Sequence, residues 1–243
     1  MKEKKGLSEN QIKYIVIVAM VIDHIAWGFL RERDLTFHAM HFIGRLTGPV
    51  MAYFLVEGYH HTRNLKKYIL RLAVFALISW PAFSFFAAGR VTLPLIEPGL
   101  HIVQRFGVIY TLLLCLLALC LYDRTDLPPL LRVTGIMTLF VLTAFGDWSF
   151  FLMLFVVFFH RFYDEPLMKW GCYCLFAATC FEKGFLNPDE YYRFGMFLVP
   201  VLLHFYNNKR GSSHPFHKWF FYVFYPLHLV VIGVFRWYIL AGK

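Results

Sequence analysis

Charge is what this 243-residue chain has least of: Asp, Glu, Lys and Arg together make up 16% of it, against 59% hydrophobic residues. A soluble domain needs a polar surface that so few charges cannot supply, so the composition is that of an integral membrane protein. Cysteine is scarce as well. Cys115, Cys120, Cys172, Cys174 and Cys180 all fall in apolar segments without a CxxC pair, which excludes a disulfide frame or a cysteine metal site and leaves packing. No GxGxxG, P-loop, HExxH or GxSxG occurs, so neither a nucleotide-binding fold nor a soluble hydrolase is supported. No linker, low-complexity tract or internal repeat interrupts residues 1–243, which reads as a single domain.

Aromatics, by contrast, reach 20%, with 28 Phe, as suits lipid-facing surfaces and interfacial belts. Segments able to cross about 30 Å of hydrocarbon fall at 12–31, 41–59, 66–88, 106–122, 130–146, 148–163, 166–182, 191–207 and 218–240. The fold class is therefore all-α, a polytopic membrane bundle of about nine helices, multi-pass in the cell membrane. The joints at Gly146-Asp147 and Asp164-Glu165-Pro166 are very short, which leaves one neighbouring segment open to a re-entrant path. Gly89, Pro94, Pro98, Pro128-Pro129 and Asn187-Pro188 mark other joints. Ser8 and Gln11 fit a capping box that opens the first helix. That helix follows a basic start, but its long apolar run, broken by Asp23-His24 and lacking a small-x-small site, argues against a cleaved signal.

The +9 formal charge reports topology and an anionic leaflet, with no nucleic acid implied. Lys2, Lys4, Lys5, Lys13, Arg63, Lys66, Lys67 and Arg71 crowd the N-terminal tail and the second loop, whereas Arg33, Arg90, Arg105, Lys183 and Lys243 fall more thinly on the other side. The positive-inside rule then places the N-terminus in the cytoplasm.

Ionisable residues inside such segments are costly and usually functional. Asp23 and His24 interrupt the first span, and Arg45 lies within the second, above a kink expected at Gly48-Pro49, with Glu57 closing the other end. The step from Lys13 to His24 is close to three helical turns, so both share a face, and His24 lies about 16 Å along the helix, near the midplane. His228 reaches a similar depth in the last span. A buried neutral imidazole can take a proton from an attacking amine or hydroxyl. Asp23 points about 100° away from His24 and is better placed to pair with Arg45 or another basic group. Arg63, Lys67 and Arg71 stand at i, i+4 and i+8, a repelling cationic stripe that calls for an anion, such as a phosphorylated cofactor from the cytosol; snorkelling to lipid phosphate is the plainer explanation. Glu57 with His61 reads as a helix-end pair. Neither Glu57, His60 and His61 nor His38 and His41 complete a metal shell, so no metal is expected.

The blocks MVIDHIAWGFL, GRLTGPVMAYFLVEGYHHTRNLKKYILRL and KWFFYVFYPLHLVV resemble the TraX family of membrane proteins, over most of the chain. The founding member of that family is associated with N-terminal acetylation of conjugative pilin. The family is in turn similar to membrane acyltransferases that pass an acyl group from cytosolic acyl-CoA to an acceptor. In that class a basic residue, ten positions and a His recur on the first helix, as in Lys13 and His24. A basic residue, three positions and another basic residue recur near the third, which Arg63 and Lys67, or Lys67 and Arg71, match with Lys in place of Arg.

The resemblance implies an acetyltransferase using acetyl-CoA. Its phosphates would lie on Lys13, Arg63, Lys67 and Arg71, with His24 as general base and Asp23, Arg45 and His228 as further site residues. The acceptor would be a pilin-like protein or an envelope glycan, with a homo-oligomeric state left open. Two other classes fit the same residues: a transporter or channel for protons or an anionic solute, and a non-catalytic membrane assembly factor.

Overall fold

A computed structural model describes residues 5–31, 34–97, 101–181 and 185–240. Lys2, Lys4, Arg33, Pro98, Lys183 and Lys243 lie outside the described residues. Among the described residues the secondary structure is helical apart from one short strand pair. Helix α1 (Glu9–Phe29) opens with the expected capping box, in which the Ser8 hydroxyl accepts from Gln11 N and the Gln11 amide reaches back to Ser8 N. Two helices, α2 (Leu35–Gly44) and α3 (Thr47–His61), take the place of a single second span. The break falls at Arg45-Leu46 and not at Gly48-Pro49. Pro49 sits in the first turn of α3, where a missing N–H costs nothing, so it starts a helix here instead of kinking one.

Helix α4 (Leu65–Ala88) is capped by Asn64, whose side chain accepts from Lys67 N. It ends at Gly89, in the left-handed conformation at φ 71°. A strand pair, β1 (Leu95–Glu97) with β2 (His101–Val103), antiparallel with Ile96 opposite Ile102, occupies what the turn residues marked as a plain loop. After it come α5 (Val108–Tyr122), α6 (Pro129–Leu142), α7 (Ser149–Arg161) and α8 (Pro166–Thr179). A 3-10 stretch at Pro188–Phe197 and α9 (Leu198–His204) divide the eighth predicted segment. The last helix is α10 (Pro215–Val234), which continues as a π-helical turn over Phe235–Leu240.

Among the described residues three helices are long and apolar enough to cross a membrane: Glu9–Phe29, Leu65–Ala88 and Pro215–Ile239. The 13 and 14 residues of α7 and α8 span only about 20 Å. That is short of the hydrocarbon core, which is why the predicted segments outnumber the helices that meet the length criterion.

The core lies where α1, α3, α4, α5, α7 and α10 meet. Helix α5 packs on α3, α4, α6 and α7, and α1 on α2, α3 and α10. Ile12, Phe86, Leu116, Phe155, Tyr173 and Leu229 are fully enclosed there. On the outside, α6 buries no residue at all and exposes Leu130, Leu131, Val133 and Val141, an apolar face suited to lipid and not to water. At the basic end, the start of α1 is tied to the 205–212 loop: Leu7 N donates to Phe205 O, and Asn10 Nδ2 to Ser212 O.

Candidate active site

Each of the two buried histidines bonds back to the carbonyl one turn earlier on its own helix. His24 Nδ1 lies 2.8 Å from Met20 O, and His228 Nδ1 lies 3.0 Å from Phe224 O. A carbonyl oxygen only accepts, so both Nδ1 atoms carry a hydrogen, and in the neutral ring the lone pair is then on Nε2. The equal depth read from the sequence becomes contact: His228 Nε2 stands 3.4 Å from His24 Nδ1, with the rings edge-on at 5.0 Å. Phe86 also packs edge-on against His24. One turn below, Val108 N donates to the Tyr225 hydroxyl at 2.9 Å, which pins α10 to the start of α5.

Asp23 faces away from this pair, as its helical direction requires. Its Oδ1 lies 2.7 Å from His41 Nδ1 and 3.2 Å from an Arg45 guanidinium nitrogen. Arg45 in turn lies over the rings of Trp148 and Tyr192, at 4.9 and 5.4 Å. Trp148 adopts a left-handed backbone at φ 58°, a strained state for an aromatic residue. The turn is held by Asp147, whose Oδ1 accepts from Trp148 N and whose carbonyl accepts from the Thr111 hydroxyl. The Asp147 carboxyl is within electrostatic reach of both His24 and Arg45.

The indole lies on Gly48, where any Cβ would overlap its ring. Gly48→Ala is therefore expected to destabilise the protein by about 1–3 kcal/mol, measured as a lowered unfolding midpoint in detergent. Gly171→Ala, on α8 with nothing near the added methyl, should hold or raise the midpoint.

Two cavities flank this layer. The larger, of about 400 Å³, has Glu9, Lys13, Arg71, Arg210 and Lys218 at one end and Met20, Thr47, Val108 and Tyr225 at the other. From Gly58 to Thr47 along α3 it runs about 16 Å. The smaller, of about 300 Å³, is lined by Arg45, Gln104, Asp147, Trp148, Ser149 and Arg193. The start of α3 separates them, with Thr47 on one side and Arg45 and Trp148 on the other. Neither His24 nor His228 lines the larger cavity. Each lies about one turn beyond its floor, behind Met20 and Tyr225.

The cations gather differently from the expected stripe. Arg63 precedes α4 and, like Lys67, is exposed and off the cavity, because the Asn64 cap starts the helix after it. Arg71 does line the cavity, and its Nε is buried without a hydrogen-bond partner. Lys13 also lines it, bonded to Glu9 and lying over the Phe54 and Phe221 rings. Glu57 sits at the same end, 3.9 Å from His61.

Sequence reasoning passed over Arg210, Lys218, Thr47 and Asp147 as site residues. An acid placed in a two-residue joint between apolar segments was the available signal for Asp147. The arrangement is an elongated cavity, basic at one end and mostly apolar at the other, that ends one turn from two histidines. It can hold an extended ligand with an anionic head and bring its far end near a base.

Fold and site together define a helical membrane protein with a buried histidine pair just beyond the floor of an elongated cavity. The chain belongs to the TraX protein family, whose profile matches residues 8–236. It is 32% identical, over 96% of its length and 97% of the other's, to "Probable fimbrial assembly protein FimC, serogroup H1" of Dichelobacter nodosus. No solved structure matches it.

Proposed function

We propose that the protein is a multi-pass membrane acetyltransferase with its N-terminus in the cytoplasm, transferring an acetyl group from cytosolic acetyl-CoA to an amine or hydroxyl acceptor. One observation carries the reading: the larger cavity is basic at its mouth and apolar at its floor, and the floor lies one turn from His24 and His228. Its volume falls in the ordinary range for small-molecule sites, roughly 300–1,000 Å³. Acetyl-CoA matches that polarity. Its phosphates lie against Arg71, Arg210, Lys218 and Lys13, and its thioester reaches the floor, while Arg63 and Lys67 stay off the cavity. Met20, unbranched and readily repacked, swings aside to admit the carbonyl to His24.

The tautomer fixed by Met20 O leaves His24 Nε2 as the base. It removes the proton from the acceptor nitrogen or oxygen as that atom bonds to the thioester carbon. The carbon–sulfur bond then breaks, and the same proton passes to the departing sulfur, giving the acetylated acceptor and CoA thiol. The acceptor approaches through the smaller cavity, past Arg45 and Asp147. The fimbrial assembly protein among the relatives supports a pilin-like or other envelope acceptor.

That same relative's name favours a second reading, a non-catalytic assembly factor, and calorimetry with purified protein separates the two. Acetyl-CoA is expected to bind, with affinity falling about 100-fold in a Lys13/Arg71/Lys218 triple-alanine variant as charge-assisted contacts are lost. An Arg63/Lys67 double-alanine variant should stay within about threefold of the parent. Absence of binding at millimolar acetyl-CoA would reject the enzyme.

A further inference from the structure

Thr47 is the first residue of α3, a 15-residue helix whose N-terminal turn receives no side-chain cap. Thr47 is one of the residues at the floor of the larger cavity, beside Met20 and Tyr225, and it is only 6% exposed. The hydroxyl oxygen is buried and has no hydrogen-bond partner. A threonine at the start of a helix ordinarily bonds to a nearby backbone group, and a hydroxyl buried without a partner is destabilising, so the position calls for a group that arrives from outside. Besides the Tyr225 hydroxyl, which accepts from Val108 N, the residues beside Thr47 at that level, Met20 and Val108, are apolar.

We infer that the Thr47 hydroxyl is the binding point for the carbonyl oxygen of a short acyl thioester. The inference rests on the acetyl-CoA reading of the cavity and adds a specific contact to it. Free CoA reaches the same floor with a thiol and gives Thr47 no carbonyl. The hydroxyl therefore contributes to discrimination between acylated and free cofactor, not to overall affinity. The negative charge that gathers on that oxygen during transfer strengthens the same hydrogen bond.

The test is the dissociation constant of acetyl-CoA and of CoA, measured by calorimetry on full-length protein in nanodiscs, together with the unfolding midpoint in the absence of ligand. The parent should prefer acetyl-CoA by about fivefold to tenfold, the worth of one hydrogen bond. Thr47→Val keeps the shape and removes the hydroxyl. It is expected to bring the preference to within about twofold, leave the CoA constant unchanged, and hold or raise the midpoint because an unpartnered buried hydroxyl is gone. Thr47→Ser should retain the preference.

An undiminished preference in Thr47→Val would overturn the inference while leaving acetyl-CoA binding intact. An equal weakening of both ligands, or a lowered midpoint, would overturn it as well by giving Thr47 a structural role. If neither ligand bound the parent protein, the acetyltransferase reading itself would fall, and this inference with it.

Discussion

Replacing His24 by alanine is expected to lower acetyl transfer by about 10²- to 10⁴-fold, the usual range for loss of a positioned general base. The acetyl-CoA dissociation constant should stay within about threefold, because His24 is not on the wall of the larger cavity. The effect is large because two backbone carbonyls fix both imidazoles. With Nδ1 of His24 committed to Met20 O, only Nε2 is left to accept a proton, and the ring cannot exchange roles without losing that bond. His24→Gln should be as inactive as the alanine variant, since an amide is no base. His228 presents its own Nε2 to the His24 N–H at 3.4 Å, so in the proposed mechanism it is a positioning residue that would act through His24. Steady-state transfer with radiolabelled acetyl-CoA, alongside calorimetry on the same preparations, measures both quantities.

The second large effect is one of stability. Asp23→Ala leaves the Arg45 guanidinium and the His41 ring without their shared carboxylate, in a place where His41 is 7% exposed. Breaking a buried pair by removing one partner costs about 3 kcal/mol or more. The Arg45 side chain is 22% exposed and keeps Asp147 within electrostatic reach, which places the expected cost at the low end, about 3 kcal/mol. Arg45 would also lose the anchor that holds it over Trp148, and with it the strained turn that carries Asp147. Asp23→Asn keeps a carbonyl acceptor and should cost less, about 1–3 kcal/mol. Chemical unfolding in detergent separates the two variants. Folded Asp23→Asn protein is expected to retain transfer within about tenfold, which would give Asp23 a structural role despite its adjacency to His24.

Much of this site could be read from the sequence because helical rise is a fixed length. Counting from Lys13 to His24 and along the last span put two histidines at one depth, and the fold brings them into contact. The direction of Asp23 on its helix likewise pointed to Arg45. What stayed hidden depended on where helices start and on which distant segments meet. The Arg63 position hung on Asn64, whose side chain takes up Lys67 N and begins α4 at Leu65, two residues too late for the stripe. Pro49 could equally kink a helix or open one, and only packing decides that Thr47 becomes a first residue facing a cavity. Arg210 and Lys218 join Lys13 and Arg71 through long-range packing of the 205–212 loop and α10 on α1, which no local pattern encodes. Segment lengths misled in a different way, since continuous apolar character extends past the ends of α7, α8 and α9.

The most direct test of the central claim is a cryo-electron microscopy map of the protein with acetyl-CoA at saturating concentration. Density is expected in the larger cavity, with the phosphates within hydrogen-bonding distance of Arg71 and Lys218 and the thioester beside Met20 and Thr47, one turn from His24. An empty cavity, or density with the phosphates directed to the floor, would contradict the account.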